Sequence, residues 1–182
     1  MIRQKQKDKI KFYIVLIIVV PMLLLGGNDK DRIEEAGDDL MVLIPAVGLG
    51  STILFEENLK GTGQFIKSFV TNQLITESLK RITHKRRPNG GCCKSFPSGH
   101  TSSAFMGAGF IHKRYGWKYS IPAYVGAAFV GYSRVQADKH FIEDVTAGAA
   151  LGILSSFYFT KPYKGFVLSL NSINGISISK YY

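Results

Sequence analysis

At 182 residues the chain is long enough for one domain and too short for two ordinary ones. A formal charge of +10 and a pI near 9.6 call for an anionic partner: nucleic acid, lipid headgroups or a charged substrate. The cations lie in patches separated by apolar runs, without a helix-turn-helix, zinc-finger or aromatic RNA-binding signature, so a nucleic-acid module is excluded.

The N-terminus carries Arg3, Lys5, Lys7, Lys9 and Lys11, and behind them Phe12 to Gly27 is almost wholly apolar. That segment, residues 1–27 with its basic lead, reads as an uncleaved membrane anchor, the alternative being the apolar region of an export signal; Pro21 would kink it. An acidic stretch follows, with Asp29, Asp31, Glu34, Glu35, Asp38 and Asp39. Leu40 to Phe55 is a second apolar run, with Pro45 and small residues suited to close helix packing.

From Gly61 to Lys80 the pattern is amphipathic, with Phe65, Phe69, Leu74 and Leu79 at helical spacing. Its polar members Asn72, Gln73, Thr76 and Glu77 are costly against hydrocarbon, so this helix belongs inside a bundle. Residues 86–97 read as a loop, from Pro88, Asn89, Gly90, Gly91 and Pro97. Within it Cys92 and Cys93 are adjacent, too few ligands for a structural zinc site and no disulfide framework. Two unpaired thiols are expected, the alternative being an intermolecular or vicinal disulfide.

Three helical stretches follow, at Thr101 to Ile111, Ile121 to Tyr132 and Val145 to Phe159. The first is too short to cross a bilayer unless it runs on through His112 to Gly116. The tail, residues 161–182, is rich in Ser, Asn and Gly and gets no assigned element. The expected fold class is all-α, a membrane-associated bundle of about six helices, with residues 28–160 as its working domain.

Three short motifs carry chemistry. In Lys80-x6-Arg87-Pro88 the two cations are two helical turns apart and share a side if the helix continues, as a site for a doubly charged anion requires. A solvated basic helix end accounts equally for that motif taken alone. In Pro97-Ser98-Gly99-His100 a helix begins; its backbone N–H groups favour anions, Gly99 lets a ligand come close, Ser98 adds a hydroxyl and His100 a proton donor. Such a tripeptide is also a common turn and cap. In Ser133-Arg134-x5-His140-x3-Asp144, His140 and Asp144 stand at i and i+4, where a carboxylate can hold one ring nitrogen protonated and leave the other free. An ordinary surface pair reads the same in isolation.

Together these eleven positions, in one order with fixed internal spacings, resemble the signature of the PAP2 (type 2 phosphatidic acid phosphatase) superfamily, and more narrowly its small bacterial membrane-associated members. At about one in twenty per position, chance agreement is negligible. The resemblance runs from about Phe65 through Phe159 and implies roles at the matching positions. His140 attacks phosphorus and forms a phosphohistidine, with Asp144 orienting it; His100 protonates the leaving group and then activates water. Lys80, Arg87, Arg134, Ser98 and the Gly99 backbone hold the phosphoryl oxygens. No metal and no cofactor are required, since the cations supply the electrostatics.

The implied partners are a lipid phosphate or diphosphate and the membrane lipids, with no oligomeric state assigned. Placing the basic N-terminus in the cytoplasm puts all three motifs on the outer, periplasmic face of a bacterial inner membrane. The alternatives are a soluble exported acid phosphatase, a vanadate-dependent haloperoxidase, and a non-catalytic membrane protein with an anion pocket.

Overall fold

A computed structural model describes residues 30–163 and the backbone of two further strands, 166–171 and 175–180. Five helices make the domain: α1 Lys30–Phe55, α2 Lys60–Thr83, α3 Gly99–Tyr115, α4 Trp117–Gln136 and α5 Ile142–Phe159. An antiparallel hairpin, β1 Phe166–Asn171 and β2 Gly175–Lys180, pairs Phe166 with Lys180 and Asn171 with Gly175 in the tail, where no element was expected. The anchor expected over residues 1–27 lies outside the described residues, and with it the sixth helix.

Each of the five helices expected after the anchor is present, and each is longer than its apolar run. α1 begins ten residues before Leu40, because Asp31, Glu34, Glu35, Asp38 and Asp39 occupy its first turns, where acidic side chains suit the positive end of the helix dipole. α3 reaches Tyr115, the extension that its length demanded. Gly116, at φ 102°, then turns the chain directly into α4, a left-handed position that favours glycine.

α3 is the hub, packing against α5, α4, α1 and α2. It comes close because glycines face it. A Cβ on Gly148 would sit 2.5 Å from the Ser98 carbonyl oxygen, and one on Gly152 would sit 2.7 Å from the Met106 nitrogen. On α1 a stripe of Leu40, Ile44, Gly48 and Thr52, four residues apart, faces inward. The core gathers Leu40, Ile44, Ala104, Ala108, Ile111, Ala123, Ala127 and Val130, with Phe65, Met106 and Phe110 beside it.

α2 departs from the expected apolar stripe. Its buried residues are Gly61, Phe65, Ser68, Asn72, Thr76 and Lys80, whereas Ile66, Val70, Leu74 and Ile75 face outward. Most of the inward polar groups are matched, the buried Asn72 Nδ2 excepted. Ser102 Oγ donates to Asn72 Oδ1 at 2.9 Å, Thr76 and Ser102 share a 3.0 Å hydroxyl contact, and Gln73 Nε2 donates to Ser103 Oγ at 3.2 Å. A helix with polar residues inward and aliphatic residues outward suits a hydrocarbon surround. Among the described residues α1 alone is both long and apolar enough to cross a membrane unaided.

Candidate active site

The site is assembled at one end of the bundle, where α2 ends, α3 and α5 begin, and α4 hands over to the loop before α5. Lys80 lies in the last turn of α2, and only 8% of its surface is exposed. No carboxylate lies within ion-pair distance of it among the described residues. A Cβ built on Gly99 would stand 3.4 Å from its Nζ, so the ammonium lies against the start of α3.

Arg87 is not on the helix that the two-turn spacing implied. α2 stops at Thr83, and His84 takes the left-handed conformation at φ 45°. Arg87 instead sits in a turn of its own, its N–H bonded to the Gly91 carbonyl at 2.9 Å and its carbonyl accepting from Gly90. Its Nε is buried without a protein partner.

Ser98 is the N-cap of α3, its hydroxyl facing Thr101 N–H at 3.5 Å and Thr101 Oγ1 at 3.0 Å. Its own N–H donates to the Asp144 carbonyl at 2.9 Å, which fixes the start of α3 to the start of α5. His100 follows in the first turn of α3. Arg134, 2% exposed, lies in the last turn of α4. Its carbonyl accepts from the N–H groups of Lys139 and His140, so the intervening loop bends back on it and brings His140 to the site. The fields of Lys80 and Arg87 reach both His100 and His140.

His140 and Asp144 are related differently from the helical pair expected of i, i+4 spacing. α5 begins only at Ile142, so His140 is in the preceding loop and Asp144 is the third residue of the helix. Asp144 Oδ2 caps that helix, accepting from Phe141 N–H at 3.0 Å, and also accepts from Ser95 Oγ at 2.5 Å. Its Oδ1 meets Lys85 Nζ at 2.7 Å. His140 Nδ1 is 3.8 Å from Asp144 Oδ2, beyond hydrogen-bond reach but close enough for the carboxylate to act on the ring. Burial, aided by the Lys80 and Arg87 charges, pushes the imidazole down to about 4. His140 is therefore neutral at pH 7, with a lone pair on one nitrogen.

Three residues outside the motifs contribute. Lys85, in the gap between Lys80 and Arg87, also meets Glu143 at 2.8 Å. Burial alone would lower its ammonium, but the hydrogen bonds to Asp144 and Glu143 outweigh this and hold it above the ordinary lysine value. Ser95 is wholly buried on Asp144. Asp38 of α1 touches both His100 and Arg134. None had a local signal, because each is brought in by a chain reversal.

The Cys92 and Cys93 sulfurs face each other, the vicinal arrangement given above as the alternative to two separate thiols. No group of three His, Cys, Asp or Glu side chains able to hold a metal occurs among the described residues.

Among the described residues, no carboxylate lies within ion-pair distance of Lys80 or Arg87, and both stand near the neutral His140 imidazole. The PAP2 superfamily profile matches residues 61–165, more than half of the chain, and the chain belongs to that family. It is a membrane-associated phosphatase of the PAP2 type, a phosphoric monoester hydrolase. It is 31% identical to the lipid A 4'-phosphatase of Helicobacter pylori over 173 residues, 87% of this chain and 85% of that one. Two crystal structures share its fold. LpxE of Aquifex aeolicus matches with a TM-score of 0.61 at 23% identity, over 79% of this chain and 93% of that one. The transmembrane PAP2-type phosphatidylglycerolphosphate phosphatase of Bacillus subtilis matches with a TM-score of 0.56 at 27% identity, over 86% and 83%.

Proposed function

We propose that this lipid phosphatase hydrolyses its substrate, a phosphate monoester or diphosphate, in two steps through a phosphohistidine on His140. The observation that carries the reading is Lys80, buried against the first turn of α3 with no carboxylate within ion-pair distance among the described residues. A buried charge of that kind is stable only when an anion completes it.

In the first step His140 Nε2 attacks phosphorus while Asp144, 3.8 Å from Nδ1, favours the proton there. The P–O bond to the lipid breaks, its electron pair stays on oxygen, and His100 delivers a proton there. In the second step His100 takes a proton from water, the water oxygen bonds to phosphorus, and the P–N bond breaks to release inorganic phosphate. Lys80, Arg87, Arg134, the α3 N-terminus and its Ser98 cap hold the three phosphoryl oxygens and stabilise the charge of the transition state. These fixed cations stand where a metal would otherwise act, so the reaction is read as metal-independent.

The similarity to the Helicobacter pylori lipid A 4'-phosphatase favours a phosphorylated glycolipid as substrate, ahead of the phosphatidylglycerol phosphate suggested by the Bacillus subtilis enzyme. Residues 1–27 are read as the anchor, 28–160 as the phosphatase domain and 161–182 as its tail. The basic lead of the anchor favours a cytoplasmic start, which puts the site on the periplasmic face of a bacterial inner membrane.

The test is release of inorganic phosphate by the purified protein from a panel of lipid phosphates, with EDTA present. Activity that persists with the chelator and disappears in His140→Ala supports the reading. Wild-type activity in that variant, or a loss restored only by magnesium, overturns it.

A further inference from the structure

Helix α1 carries none of the three motifs, yet its first turns supply the carboxylate that touches two of their residues. Asp38 Oδ1 lies 3.0 Å from His100 Nε2 and 2.8 Å from Arg134 Nη1. One turn earlier the Glu34 carbonyl accepts from Arg134 Nη2 at 2.6 Å, and the Glu34 carboxylate lies 3.2 Å from Lys139 Nζ. The approach depends on Gly37, where a Cβ would overlap Ser133 Oγ and come 2.9 Å from Arg134 Nη2.

We propose that Asp38 is the positioning residue of His100. Its carboxylate accepts a hydrogen bond from Nε2–H and so leaves Nδ1 as the nitrogen that exchanges a proton with the reacting oxygens. This rests on His100 acting as acid and base, as in the function proposed above.

The proton balance is closed. The imidazolium gives its Nδ1 proton to the departing lipid oxygen and becomes neutral, keeping Nε2–H on Asp38. It regains the Nδ1 proton from the attacking water as the phosphohistidine is hydrolysed. A carboxylate on the far nitrogen fixes the tautomer and favours the charged form, the arrangement that orients catalytic histidines in general. It also opposes, in part, burial and the cations that face His100, namely Arg134, Lys80 and Arg87. Asp38 is 46% exposed, so an isolated ion pair there would add little stability. Its effect is expected in the chemical step.

The leaving group separates a positioning role from a structural one. A lipid alkoxide needs a proton to depart, whereas p-nitrophenolate leaves without one. With full-length protein in detergent, Asp38→Asn is expected to lower kcat/KM for the lipid phosphate by about 30- to 100-fold. For p-nitrophenyl phosphate it should lower kcat/KM by less than about 5-fold, and Asp38→Glu should recover part of the lipid activity.

His100→Ala is the control and should show the same split more strongly. If it does and Asp38→Asn loses both substrates equally or neither, Asp38 is structural or idle and the proposal is overturned. A rise in lipid turnover in Asp38→Asn also overturns it, since the carboxylate would then be competing with substrate for Arg134. If His100→Ala itself shows no split, the role of His100 has failed and Asp38 has nothing to position.

Discussion

Lys85 Nζ stands 2.7 Å from Asp144 Oδ1, tying the loop between α2 and α3 to the first turn of α5. The Asp144 side chain is fully buried, and Ser95 and the Phe141 N–H fill its other oxygen. One carboxylate thus caps a helix, anchors the loop that carries Arg87, and faces the ring of His140.

Removing the lysine should therefore damage the site from outside the motifs. Lys85→Met leaves a buried carboxylate short of its cation, expected to cost about 1–3 kcal/mol after allowing for the partial exposure of Lys85. Phosphate release should fall about 10-fold or more, with Lys85→Arg close to wild type. Denaturation in detergent and kcat/KM measured together check this.

The neutrality of His140 has a pH consequence. Its value of about 4 lies below the ordinary histidine value, so the unfolded chain binds this proton at higher pH than the folded one. Stability from this group is therefore fully present above the unfolded value near 6.5 and is lost as pH falls from there towards 4. An NMR titration, with His140→Gln for assignment, should show this imidazole protonating near pH 4. Titration near 6.5 would contradict the burial argument.

Helix spacing offers a third test. Gly152 faces backbone atoms of α3, whereas a Cβ added to Gly63 of α2 would meet nothing within 4 Å. Gly152→Val should cost about 1–3 kcal/mol or more and shift the helix that carries His100, lowering both melting temperature and kcat. Gly63→Ala should be neutral or stabilising by up to about 1 kcal/mol.

The opposite end of the bundle should affect stability alone. Arg114 and Tyr115 both bond Glu56, whose side chain is fully buried, and Arg114 also donates to the Lys161 carbonyl at 2.8 Å. Arg114 is about 21 Å along α3 from His100, at 1.5 Å per residue. Glu56→Gln should destabilise the protein by about 3–5 kcal/mol while the folded fraction keeps its kcat/KM.

The motifs were legible in the residues because their spacings are local, and the apolar runs marked each helix. Helix ends were not, since acidic turns such as Glu34 to Asp39 add nothing to hydropathy. The inward face of α2 escaped for a related reason. In a bundle with an apolar surround, Leu74 turns outward and Asn72 inward, and periodicity alone has no sign. Spacing also suggested helical placements for Arg87 and for the His140–Asp144 pair, where Pro88 and the late start of α5 leave loops. Lys85, Ser95 and Asp38 reach the site only through tertiary contacts, Asp38 across 96 residues from Arg134, a relation that no local pattern encodes.

The central claim is that phosphorus is carried on His140 between the two steps. Brief incubation with a lipid labelled in its phosphate, quenching in base, and peptide mass spectrometry test it most directly. The label is predicted on His140, acid-labile and absent from His140→Ala. Label on another residue, or turnover in which no protein-bound phosphate ever forms, would contradict it.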